Sequence, residues 1–127
     1  MSNEAKILVV EDHELTRQFV ADMITSFGYS VIGAADGMEA IKLIEEIPSI
    51  ELVFTDITMP GVDGIILGDM IKQHRPRLSV LYTTGGGAVD RVKADAGILH
   101  GNILAKPYRS DQLRAEIARI LDRSGGR

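Results

Sequence analysis

Six residues able to handle a phosphoryl group stand directly behind or at the end of short apolar runs. Glu11 and Asp12 follow "KILVV", Asp56 closes "LVFTD", Thr83 and Thr84 close "SVLYTT", and Lys106 follows "NILA". Three carboxylates brought together repel by about 4 kcal/mol per pair at roughly 4 Å and an effective dielectric near 20, so such a group needs a cation or a proton. A hard divalent ion suits it: magnesium takes oxygen ligands, keeps several waters and shares its shell with phosphate. An ammonium such as Lys106 can hold the charge spread over a transferring phosphoryl group, and a threonine hydroxyl can donate to one of its oxygens. Asp56 then reads as the nucleophile, since a carboxylate can accept phosphorus as an acyl phosphate.

For these residues to meet, the runs that precede them must end along one edge. Five short β-rich runs do this: Lys6 to Val10, Tyr29 to Ala34, Leu52 to Asp56, Ser79 to Thr84 and Asn102 to Ala105. They alternate with segments of helical period, the pattern of βα units around a buried parallel sheet. In such a sheet the carboxyl ends of all strands share one edge, where ligands bind at the topological switch point.

The helices between are marked by their stops and caps. Leu15, Phe19, Met23 and Phe27, with Val20 and Ile24 beside them, predict an apolar stripe covering the sheet, ended by Gly28. Asp36 predicts a cap for a second helix with Glu39 as its capping-box partner, and Ile41, Ile44 and Ile47 face inward. A third helix is expected from about Ile65 to His74, stopped by Pro76. A last one carries Leu113, Ile117, Ile120 and Leu121 behind a Ser110 cap.

Composition bounds the partners. The 127 residues suit one domain with a real core. Fourteen Lys and Arg against 18 Asp and Glu give a net charge of -4, which argues against nucleic acid. There is no cysteine, hence no disulfide, thiolate metal site or cysteine nucleophile. The polar "MSNEAK" start and the lack of any membrane-length apolar run predict a cytoplasmic protein with neither a secretion signal nor an anchor. A single domain over 1–127 is expected, with a core from about 5 to 123 and a flexible tail over 124–127.

Four pieces together resemble a known family, the receiver domains of bacterial two-component response regulators: the acidic pair in "VVEDHE", the acceptor in "FTDITMPGVDG", the threonine with its small follower in "TTGG", and "AKPY" before the last helix. The resemblance covers almost the whole chain. It implies a doubly wound, flavodoxin-like (βα)5 sheet of order 2-1-3-4-5, an order for which a chemotaxis receiver is a standard example. It also implies that Asp56 accepts phosphate from a phosphohistidine of a histidine kinase or phosphotransfer protein. Glu11, Asp12, Asp56 and the main-chain carbonyl of Thr58 would bind Mg2+, and Lys106 would contact the phosphate. Thr84, followed by Gly85, would be the switch hydroxyl in preference to Thr83. The Lys106–Pro107 bond would be cis, against a general frequency of about 5–6% for X–Pro. The product would be a monomeric phosphorylatable switch that catalyses its own modification and hydrolysis and acts on a downstream protein. The "MSN" start and glycine-tipped end fit a free-standing protein, with a hybrid-kinase domain as the alternative.

Two features depart from the family. Ile103 stands three residues before Lys106, where many receivers carry a switch aromatic, so a Thr/Tyr type of output coupling is not expected. "GGGAVDRVKADAG" puts three glycines ahead of the helix expected between the fourth and fifth strands, at about 1 kcal/mol each relative to alanine within a helix, which predicts a short or mobile segment from about Gly85 to Gly97.

Other functions fit less well. A dehalogenase-type phosphatase shares the aspartate nucleophile but needs a second Asp where Thr58 stands, and a receiver-like adaptor would work without phosphorylation. Flavin binding has no sequence support, and "GGGAVD" ends on Asp90 where a dinucleotide loop needs glycine. His13, His74 and His100 lack metal-ligand spacing and read as loop or surface residues, while Met38 and Met59 read as packing residues.

Overall fold

In the computed structural model the described residues are 6–57, 64–84 and 102–125. Strands β1 (Lys6–Val10), β2 (Ser30–Ala34), β3 (Ile50–Asp56), β4 (Ser79–Thr84) and β5 (Asn102–Ala105) form one parallel sheet of order β2-β1-β3-β4-β5. Helices α1 (Glu14–Ser26), α2 (Gly37–Glu46), α3 (Gly64–His74) and α4 (Ser110–Gly125) cover it. The strand order is the doubly wound one that the resemblance implied, and every strand falls within two residues of its predicted position. The helix expected from about Gly85 to Gly97 lies outside the described residues, as do Thr58, Met59, His100 and the last two residues of the tail.

Alternation along the strands divides the core into two. Leu8, Val10, Val53, Val80 and Tyr82 face α2 and α3, where Ile41, Ile44, Leu67 and Ile71 meet them. Ile7, Val9, Leu52, Phe54 and Leu81 face α1 and α4, against Val20, Ile24, Leu113 and Ile117. Most of these side chains are fully buried, each contributing about 1.5–3 kcal/mol relative to exposure. This two-sided burial is why the strands are apolar throughout rather than alternating.

Gly28 ends α1 with φ +102°, a conformation that side chains resist, while Phe27 and Gly28 donate to the carbonyls of Ile24 and Thr25. Asp36 caps α2 by accepting from the Glu39 N–H at 2.8 Å, and Glu39 reaches back to the Ala35 N–H at 2.7 Å, one residue before the cap.

Three details differ from expectation. Leu15 (75% exposed) and Phe19 (67%) point outward, and Val20 and Ile24 make the sheet contact. Residues four apart advance 400° around a helix, so the Leu15 to Phe27 row winds about 120° off the sheet-facing line. Met38 is 64% exposed on the first turn of α2 rather than packed. Ser110 begins α4 instead of capping it: the Arg109 carbonyl accepts from Gln112 and Leu113, and Gln112 Oε1 accepts from the Arg109 N–H at 2.7 Å. The glutamine three residues on supplies the return bond of a capping box, and no serine is needed.

Candidate functional site at the carboxyl edge of the sheet

Register sets the site. Asp56 pairs with Thr83, Thr83 with Leu104 and Thr84 with Ala105, so β3, β4 and β5 finish level. The ladder continues just past the strands, with the Ile57 N–H on the Thr83 carbonyl at 3.0 Å and the Lys106 N–H on the Thr84 carbonyl at 2.7 Å. On the other side the Glu11 N–H donates to the Ala34 carbonyl at 3.0 Å, extending β1 along β2.

Each candidate side chain is held by its surroundings. Glu11 Oε2 accepts from the His13 N–H at 3.0 Å, and Arg17 Nη1 donates to the Glu11 carbonyl at 2.8 Å. The Arg17 stem crosses β2 at Gly33, where an added Cβ would stand 3.2 Å from Arg17 Cδ. His13 itself caps α1, its Nδ1 accepting from the Thr16 N–H at 3.4 Å. Asp56 sits under the start of α3. Gly64 donates to the Ile57 carbonyl at 2.8 Å and comes so near that a Cβ there would lie 2.6 Å from the Asp56 carbonyl oxygen. That approach explains the glycine closing "MPGVDG".

Lys106 Nζ lies 2.7 Å from Asp56 Oδ2, and its bond to Pro107 is cis, as the resemblance implied. Tyr108 follows, its ring edge-on to Phe54 with centroids 6.2 Å apart. A cavity of about 30 Å³ lies among Glu11, Thr16, Phe54, Asp56, Thr83, Lys106 and Tyr108. The structure thus brings Glu11, Asp56 and Lys106 to one cavity, with Asp12 exposed beside Glu11.

The acids push on one another. Burial raises the Glu11 pKa above its ordinary value. The Asp12 side chain and the charges of Asp12 and Asp56 add to that, while the His13 N–H partly offsets it. Burial also raises the Tyr108 phenol, reinforced by the charges of Glu11 and Asp56. Among the described residues no group of three or more His, Asp or Glu side chains is placed to hold a metal ion. The donors nevertheless fit magnesium, which uses one or two carboxylates and fills its shell with water, and a cation would relieve the crowding at Glu11.

The two threonines part company. Thr84 is fully buried on the Tyr82 side, and Thr83 is 5% exposed on the cavity side. Neither hydroxyl has a hydrogen-bond partner among the described residues. Thr83 was read from sequence as a strand-end hydroxyl, not as a wall of the cavity, and Arg17 as a brace for Glu11 and Tyr108 as a shared wall were not singled out. Strand alternation from Leu81 was the available signal for Thr83.

Residues 7–118 match the family model of the response regulator receiver domain. The chain belongs to that family. Receiver domains of this kind serve two-component and phosphorelay signalling. The response regulator protein FleR of Pseudomonas aeruginosa is 34% identical over 115 residues, covering 91% of this chain and 24% of that protein. Sensor histidine kinase RcsC of Salmonella typhi is 30% identical over 122 residues, covering 96% of this chain and 13% of the kinase. The crystal structure of a response regulator receiver domain protein from Clostridium thermocellum superposes with a TM-score of 0.88 at 28% identity, covering 94% of this chain and 95% of that one. The chain therefore spans about a quarter or less of these two curated relatives' length. No helix among the described residues is long and apolar enough to cross a membrane.

Proposed function

We propose that this receiver domain takes a phosphoryl group onto Asp56 from a phosphohistidine. In the transfer an Asp56 carboxylate oxygen forms the new P–O bond as the P–N bond to the donor's imidazole breaks, and the imidazole leaves with the bonding pair. Glu11, Asp12, Asp56 and the Thr58 carbonyl would hold Mg2+, whose charge would offset that of the phosphoryl oxygens. Lys106 neutralises a phosphoryl oxygen, and Thr84 donates its hydroxyl to another, which would give that buried group a partner. Water later cleaves the acyl phosphate and restores the carboxylate. The observation that carries this reading is the Lys106 ammonium on Asp56 at the carboxyl edge.

The donor's place is suggested by a wide groove of about 730 Å³ between α1 and the turn after β5, walled by Phe19, Met23, Lys106, Pro107 and Tyr108. It shares Lys106 and Tyr108 with the cavity at Asp56, so a protein presenting a phosphohistidine to Asp56 would cover it. The exposed Leu15 and Phe19 offer that protein an apolar anchor.

Intact mass after exposure to acetyl phosphate, with and without Mg2+, tests the reading. The chain gains one phosphate only with the ion, and Asp56→Asn gains none. Equal labelling of Asp56→Asn would reject it.

A further inference from the structure

Thr83 lies on the opposite face of β4 from its neighbour Thr84. It stands one residue from the end of β4, level with Asp56 on the adjacent strand. Alternation puts it on the same face as Leu81, towards α1 and α4, and it lines the same cavity as Asp56 and Lys106. Only 5% of Thr83 is exposed, and its hydroxyl has no hydrogen-bond partner among the described residues. Buried hydroxyls are strongly disfavoured without one. The cavity has room for one or two waters at about 30 Å³. Among mostly apolar neighbours, Glu11, Asp56 and Lys106 also line it, and with Thr83 they can offer a water the two to four partners it requires.

We infer that Thr83 anchors an internal water behind the Asp56–Lys106 pair, and so acts as a positioning residue for phosphoryl acceptance. The inference rests on the phosphoacceptor reading of Asp56. The hydroxyl holds the water from the β4 side, and the water bonds the pair from within. The carboxylate is thereby fixed from inside the protein while its outer side stays open to incoming phosphorus. Lys106 has three N–H donors and uses one on Asp56 Oδ2, so a donor remains for the water. Valine at position 83 would keep the shape and remove the hydroxyl. Serine would keep the hydroxyl.

Two measurements on the full chain decide the point. In a high-resolution crystal structure of the unmodified protein, a water lies within hydrogen-bond distance of Thr83 Oγ1 and of Asp56 or Lys106. A dry cavity, or a Thr83 hydroxyl bonded to a backbone carbonyl, overturns the inference whatever the variants do. In phosphorylation by acetyl phosphate with Mg2+, followed by intact mass, Thr83→Val reacts about fivefold more slowly, the change expected for one neutral hydrogen bond, and Thr83→Ser restores the rate. Equal rates for wild type and Thr83→Val overturn it. So does Thr83→Ser as slow as Thr83→Val, which would mean that the methyl group matters and the hydroxyl does not. Labelling of Asp56→Asn separates failure of the acceptor reading from failure of this one.

Discussion

Lys106 Nζ and Asp56 Oδ2, fifty residues apart in sequence, lie 2.7 Å apart at the ends of two strands separated by β4. The pair joins the β5 side of the sheet to its centre and gives the Asp56 carboxylate its cation.

The lysine is 40% exposed, and ion pairs this open are worth about 0–1 kcal/mol. Lys106→Ala is therefore expected to keep its fold and to shift stability by about 1 kcal/mol or less in urea unfolding. Phosphorylation by acetyl phosphate should slow by about a hundredfold, as for loss of one preorganised charge-stabilising donor. A fall in stability that matches the fall in rate would point to structure in place of chemistry.

The raised Glu11 pKa gives a pH signature. The unfolded chain ionises this acid first, so stability falls as pH rises from the ordinary glutamate value to the raised one, and is level above it. Thermal melts of the metal-free protein across that window should show the fall, and Glu11→Gln should lack it. At neutral pH, Mg2+ should raise the melting temperature of the wild type more than that of Glu11→Gln.

Phe19 is 67% exposed and borders the groove beside Lys106. Phe19→Ser should leave stability within about 0.5 kcal/mol. Transfer from a phosphohistidine protein should drop at least about tenfold, while labelling by acetyl phosphate stays unchanged, because only the protein donor needs the anchor. Parallel loss with both donors would place Phe19 in the reaction centre.

Gly68 of α3 faces the hydroxyl of the fully buried Tyr82, and an added Cβ would collide with it. Gly68→Ala should destabilise by about 1–3 kcal/mol through overpacking, despite alanine's better helix propensity. In a Tyr82→Phe background the oxygen is gone, and the same substitution should become neutral or stabilising by up to about 1 kcal/mol. Denaturant unfolding of the four proteins in the cycle measures the reversal.

Much of this molecule was legible from residue order. The five strands announced themselves because both faces of a parallel sheet are buried, which leaves runs such as "KILVV" apolar throughout. Gly28 marked the end of α1 because a left-handed residue is needed there. Glu11, Asp56 and Lys106 were recognisable because each directly follows or ends a strand, and parallel strands share an edge.

What the sequence could not decide depended on rotation and on contact between distant elements. The period of α1 showed an amphipathic helix, but which flank met the sheet was set by packing, which buried Val20 and Ile24 and left Leu15 and Phe19 outside. "TT" showed two hydroxyls. Alternation put them on opposite faces of β4, and only the pairing of β4 with β3 put Thr83 in the wall of the Asp56 cavity. Gly68 looked like any helix glycine until Tyr82 was seen against it. Local chemistry therefore determined which elements form and where they end, because caps, turns and burial patterns act over a few residues. Tertiary packing decided which side chains share a cavity, because that depends on how separately coded elements turn towards one another.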